Sequence, residues 1–234
     1  MLSGLLKVAT MFEEEIGLED LAENPTPRVP IALVLDTSGS MAGKPIQELN
    51  EGVNLFIDEI RNDEYTRYSA EICIITFGGD VKVIQDFTTV DNISYPVFEA
   101  DGQTPMGVAV LEALERLEGR KAIYKELGMD YYQPWMVLMT DGKPTDDITE
   151  AVRRTQELLS QRKLVVFPVA IGPNADIDVL NKFTTPNRIA LRLKGLRFRE
   201  FFMWLSKSVA QVSRSTPGQK VKLDKEGLKG WAEL

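Results

Sequence analysis

Two hydrophobic periodicities divide the chain. Leu2, Leu5, Ala9, Phe12 and Ile16 recur at intervals of three and four, the spacing of one helix face. The stretch ENPTPRVP (23–30) then carries three prolines, which cannot continue a helix and favour an extended linker. From Val29 the pattern changes to short apolar runs that alternate with amphipathic stretches. The organisation expected is an N-terminal helix and Pro-rich linker at 1–28, one α/β domain at 29–215, and a C-terminal tail at 216–234.

Within the domain, VPIALVLD reads as a buried strand. Ile46, Leu49, Val53, Phe56 and Ile60 mark a helix, opened by Gly43 and by Pro45 in its first turn. AEICIITFGGDVKVIQDF reads as two strands joined at Gly78-Gly79-Asp80, a hairpin signal. A helix over 105–117, a strand at PWMVLMTDG, a helix over 148–161 and a strand at KLVVFPVAIG follow. Then come a short helix near 177–181, a weak strand around 188–193, and a last helix carrying Phe198, Phe201, Phe202, Leu205 and Val209. The polar stretch from Ser213, with Pro217 and Gly218, reads as a mobile tail. Apolar strands without clean alternation, interleaved with helices, predict a doubly wound, mostly parallel sheet with helices on both faces and one antiparallel edge strand from the hairpin.

Composition narrows the chemistry. The 234 residues contain no histidine, which excludes Ser-His-Asp and Cys-His catalysis and the commonest zinc sites. The one cysteine, Cys73, lies in an apolar run and reads as a buried structural thiol. A formal net charge of −8, with scattered Lys and Arg, argues against nucleic-acid or anionic-membrane partners. The N-terminus makes a poor secretory signal and no stretch reaches transmembrane length, so a cytoplasmic location is expected.

In an open α/β sheet, ligands bind outside the carboxyl ends of the strands, at the switch point of the winding. Asp36, Ser38 and Ser40 lie at such an end and are spaced by two, so one extended turn can aim all three side chains the same way. A carboxylate with two hydroxyls suits a hard divalent cation, Mg²⁺ most naturally, with Mn²⁺ and Ca²⁺ as alternatives. One turn cannot complete an octahedral shell. Thr104, in DGQTPMG, and Asp141, in TDGKPTDD, supply the further oxygens. Each piece also has an ordinary explanation. Thr104 before Pro105 is a good helix cap, Asp141-Gly142 a common turn, and Asp146 and Asp147 suit the positive end of the helix from Ile148. Tyr124, Tyr131, Tyr132 and Trp135 read as packing residues rather than a ligand platform.

DTSGS, with Thr104 and TDG, resembles the von Willebrand factor A domain and its metal-ion-dependent adhesion site; the likeness runs from about residue 29 to about residue 215. YYQPWMVLMTDGKPTDD and FFMWLSKSVAQVSRSTPG are similar to the bacterial TerY-type (YegL-like) branch linked to tellurite resistance and stress. The resemblance implies Mg²⁺ held by Asp36, Ser38, Ser40, Thr104 and Asp141, with the hydroxyls binding directly and the aspartates binding directly or through water. It implies a protein partner that completes the shell with an acidic side chain, and companions such as kinase, phosphatase, Ter-type or ATPase proteins. Self-association through MFEEEIGLED is a further expectation.

Two rivals remain at this point. One is a Mg²⁺- or Mn²⁺-dependent phosphohydrolase. Position 38 is Ser where an aspartyl-phosphate enzyme wants a second Asp, and the stretch from Gly39 to Pro45 fails the spacing of a phosphate loop. The other is a scaffold that binds through the N-terminal helix and leaves the metal site idle. The expectation is a non-enzymatic, metal-dependent adaptor.

Overall fold

A computed structural model describes residues 24–186, 189–224 and 226–233. The helix expected over residues 2–16 lies outside the described residues. Seven strands form one sheet in the order β3-β2-β1-β4-β5-β6-β7. They are β1 (Val29–Asp36), β2 (Ala70–Gly78), β3 (Asp80–Thr89), β4 (Trp135–Thr140), β5 (Val165–Ala170), β6 (Leu191–Leu193) and β7 (Ala232–Glu233). The helices are α1 (Lys44–Arg61), α2 (Thr66–Ser69), α3 (Met106–Glu126), α4 (Thr149–Ser160), α5 (Ile177–Asn181) and α6 (Phe198–Ser213).

The continuous apolar run of β1 follows from its position. It pairs in parallel with β2 on one side and β4 on the other, and all eight of its residues are buried. Alternate side chains go to opposite faces. Val29, Ile31, Leu33 and Leu35 join a core with α1 and α6, while Ala32 and Val34 join a second core with α3. The winding reverses where β1 meets β4, so the crevice at the carboxyl ends of these two strands is the topological switch point.

The hairpin expected at Gly78-Gly79-Asp80 is present, with β2 and β3 antiparallel and closed by the Gly78–Asp80 pair. A second antiparallel edge, β7 against β6, is only two residues long and leaves no pattern to read. It corrects the expectation of a mobile tail. Trp231 is 1% exposed, with its ring 5.1 Å from Phe201 and 5.5 Å from Trp204, so the end of the chain is anchored on α6.

Close packing of α1 on α6 depends on Gly52. A Cβ there would lie 2.6 Å from the Phe202 ring. At the amino end of the sheet, Glu71 is fully buried in β2. It pairs with Arg120 (2.6 Å) and Arg28 (3.3 Å) and accepts a hydrogen bond from the Tyr124 hydroxyl (2.5 Å). Burial and the Glu71 charge push the Tyr124 phenol well above its ordinary range. Tyr132 and Trp135 are core residues, and Cys73 is fully buried with its thiol pushed up by that burial.

Candidate metal centre

β1 ends on Asp36 and β4 ends on Thr140, and the two strands are neighbours. Asp36 is 0% exposed. Its Oδ1 accepts from the Ser38 amide at 2.8 Å and its Oδ2 from the Thr140 hydroxyl at 2.5 Å. The turn formed around this carboxylate sets the hydroxyls of Ser38 and Ser40 3.1 Å apart. Ser40 Oγ then donates to Asp141 Oδ1 at 2.7 Å, across 101 residues of chain. Asp36, Ser38, Ser40 and Asp141 thus form one linked group of oxygens at the switch point.

The electrostatics of this group are costly. Burial raises the Asp36 carboxyl above its usual range; the Ser38 and Thr140 donors oppose that, and the Asp141 charge adds to it. Neither Asp36 nor Asp141 forms an ion pair among the described residues.

Thr104 reaches the same place by a different route. Its ordinary alternative role was to cap the next helix, but that helix begins at Met106 with no side-chain cap from Thr104. The first-turn amides of Gly107 and Val108 donate instead to the Asp146 carboxylate, at 3.0 and 2.8 Å. Asp146 therefore serves α3 rather than α4, whereas Asp147 meets its expectation and accepts from the Thr149 amide and hydroxyl at 2.9 and 2.6 Å. The Thr104 backbone clasps the loop after β4: its amide donates to Thr145 Oγ1 at 3.1 Å, and its carbonyl accepts from the Thr145 amide at 3.0 Å. Gly107 makes this clasp possible, because a Cβ there would lie 2.6 Å from the Asp147 carbonyl. The Thr104 hydroxyl takes no hydrogen bond among the described residues, and it lies 3.8 Å from where a Cβ on Gly142 would sit.

A platform of glycines holds the three loops in place. Gly39 N donates to Gly102 O at 3.0 Å, Gly79 N to Gln103 O at 2.8 Å, and Asp101 N to Thr37 O at 2.9 Å. Gly102 has φ +67°, and a Cβ there would lie 2.4 Å from Gly79 Cα, so only glycine permits this approach. The sequence marks these residues as turns. Nothing local in it says that the turns touch one another.

The donors fit a hard divalent cation. Two are carboxylates and three are hydroxyls, all oxygen, and the buried Asp36 carboxylate, with the half-buried Asp141 beside it and no ion pair to either among the described residues, is poorly solvated without a positive charge. Among the described residues no group of three or more His, Cys, Asp or Glu is placed to hold a metal. A cation at this position would rely mainly on neutral oxygens. The two carboxylates roughly balance the cation's charge, but direct bonds from neutral hydroxyls quench it little, so an incoming anion still gains by binding it.

Comparison with known proteins gives the same fold. The chain is 25% identical over 190 residues to human inter-alpha-trypsin inhibitor heavy chain H6, covering 71% of this chain and 14% of that protein. The chain thus spans a small part of that relative's length. Among solved structures, manganese-loaded TRAP protein of Plasmodium vivax matches with a TM-score of 0.55 and 19% identity, over 77% of this chain and 74% of that one. Proximal thread matrix protein 1 from the mussel byssus, with a zinc-occupied metal-ion-dependent adhesion motif, matches with a TM-score of 0.56 and 17% identity, over 79% of this chain and 48% of that one. The model of the von Willebrand factor type A domain matches residues 31–199, well over half of the sequence. The chain belongs to the von Willebrand factor type A domain family.

Proposed function

We propose that this domain is a divalent-cation-dependent protein-binding module. Asp36, Ser38, Ser40, Thr104 and Asp141 hold one Mg²⁺, and a partner protein completes the shell with an aspartate or glutamate. The observation that carries this reading is the hydrogen-bonded group running from Asp36 through Ser38 and Ser40 to Asp141, with the uncommitted Thr104 hydroxyl beside it. Two structural relatives, one manganese-loaded and one with a zinc-occupied metal-ion-dependent adhesion motif, favour a divalent cation without selecting Mg²⁺ over Mn²⁺ or Ca²⁺.

The module is not an enzyme in this reading. A metal bound mainly by neutral oxygens, with no histidine in the sequence and no group of three or more acidic or thiol side chains placed to hold another metal among the described residues, lacks the base that hydrolytic chemistry needs. We propose further that it is a cytoplasmic adaptor in a bacterial tellurite or stress-response assembly, a reading supported only by the similarity of YYQPWMVLMTDGKPTDD and FFMWLSKSVAQVSRSTPG to the TerY-type branch. Kinase, phosphatase, Ter-type or ATPase proteins are the companion classes. No helix of the described residues is long and apolar enough to cross a membrane.

The test is capture of partners by the full chain with Mg²⁺, with EDTA, and with Asp36→Ala, read by mass spectrometry beside calorimetric Mg²⁺ titration. Partners retained only by the wild type in Mg²⁺, together with a saturable heat of Mg²⁺ binding lost in the variant, are the expected result. Capture that ignores EDTA and Asp36→Ala but disappears when residues 1–23 are removed would move the function to the N-terminal segment. Truncation stops short of Arg28, which is buried against Glu71.

A further inference from the structure

Beside the metal centre lies a groove of about 590 Å³, between the β2–β3 hairpin and the segment that leads to Thr104. Its floor includes Thr37, which sits between Asp36 and Ser38, and Thr76 near the end of β2. Both threonines are more than nine-tenths buried, at 6% and 5% exposed, and neither hydroxyl has a hydrogen-bond partner among the described residues. What remains exposed of each side chain opens onto the groove, so each hydroxyl is free to hydrogen-bond whatever occupies it. Together they give the floor two hydroxyls without a protein partner among the described residues, which a ligand's polar atoms can meet.

The walls say which ligand. Asp80, Glu99 and Asp101 stand around the groove against a single Lys82, and none of the four forms an ion pair among the described residues. Val97, 80% exposed, and Ile84, 44% exposed, add apolar surface to the same rim. Excess carboxylate with an aliphatic edge suits a lysine or arginine, whose stem lies along apolar surface while its head meets the acids.

We infer that the groove seats a basic side chain of the partner segment that gives its carboxylate to the metal, so that specificity is for an acidic residue flanked by Lys or Arg. This inference rests on the metal-dependent reading of the site. Thr37 makes the connection physical, because it belongs both to the metal turn and to the groove floor. The metal then selects the acid and the groove selects its neighbour. Either alone would be weak and unselective.

The test is display selection of random dodecapeptides on the immobilised full chain in Mg²⁺, with elution by EDTA. It is repeated on the triple variant Asp80→Asn, Glu99→Gln, Asp101→Asn. These side chains are exposed, and unchanged near-ultraviolet circular dichroism would confirm that the variant is folded. The expected result is enrichment of Asp or Glu with Lys or Arg beside it, the basic preference falling by about two- to fivefold on the variant, the worth of a partly screened ion pair. Acidic enrichment without a basic preference, or a basic preference unchanged on the variant, overturns the groove and leaves the metal reading standing. No EDTA-elutable acidic enrichment on either protein overturns both.

Discussion

At the scale of single residues, the contrast between Thr104 and Glu71 shows what a local pattern can and cannot tell. Thr104 was picked out because a threonine before a proline stands next to a helix, and its ordinary explanation was capping. The capping is done by Asp146 from another loop, so the Thr104 hydroxyl is left without that role. Glu71 gave no warning at all. It sits in an apolar strand, and its partners Arg28 and Arg120 lie 43 and 49 positions away, one of them in a segment that reads as linker. The cluster has both arginines beside one carboxylate in a dry environment, where removing one charge strands the others. Glu71→Gln is expected to lower unfolding stability by about 3–5 kcal/mol, read from urea denaturation midpoints at constant m. Mg²⁺ affinity of the folded variant should not move, because Glu71 lies at the amino end of β2 and the metal centre at the carboxyl ends of the strands. A loss below about 1 kcal/mol would mean that the buried pairs add little.

At the scale of elements, strands and long helices were legible because burial on both faces demands unbroken apolar runs and amphipathic stripes. β1, β2, β4 and β5 all lie within the runs that marked them. α3 extends to Glu126, beyond the expected end at 117, because its later turns carry the buried Arg120 and Lys121, which a hydrophobic stripe does not register. The packing of α1 on α6 was not visible, since a glycine inside a helix reads as a weakness. Gly52→Ala should improve helix propensity by about 1 kcal/mol, yet the Cβ would meet a Phe202 ring held among Phe56 and Phe201. Overpacking is expected to prevail, with a net loss of about 1–3 kcal/mol by thermal unfolding. A raised melting temperature would show that the helices separate without cost.

The contact between the α1–α2 turn and the end of α6 makes an acid-sensitive clasp. Burial alone would raise the Asp63 carboxyl. The Arg214 guanidinium and the Thr66 hydrogen bonds outweigh that and hold it at about 2 instead of 3.8. Between these values the unfolded chain binds a proton that the folded one does not, so stability rises with pH across that window. The contribution is complete above pH 3.8 and lost as pH falls through about 2. Asp63→Asn keeps an oxygen for Thr66 but loses the charge facing Arg214. Its acid-denaturation curve should be shallower than wild type over that interval, and parallel curves would remove Asp63 from the acid response.

At the scale of the whole molecule, fold class and family were legible, whereas the assembly of the centre was not. Sequence spacing brought Asp36, Ser38 and Ser40 into one turn. The order β2-β1-β4 of the sheet, which no local pattern states, brings Asp141 to them, and the glycine contacts among three loops set the platform on which they meet. The closing strand β7 and the anchor Trp231 were missed for a similar reason: two residues carry too little periodicity to predict a pairing. The sheet therefore acts as a rigid frame. One end is tied by buried ion pairs, and the other presents oxygens around which a cation and a partner's carboxylate can gather.

That arrangement is tested most directly by a crystal of the full chain grown in excess Mn²⁺, with data collected at the manganese absorption edge. The expected result is one strong anomalous peak bonded to the hydroxyls of Ser38 and Ser40 and close to Thr104, Asp36 and Asp141, with a coordination position open to solvent or filled by an acidic group of a neighbour. Crystals in which these five side chains keep their places while no anomalous density lies between them would contradict the metal-dependent mechanism.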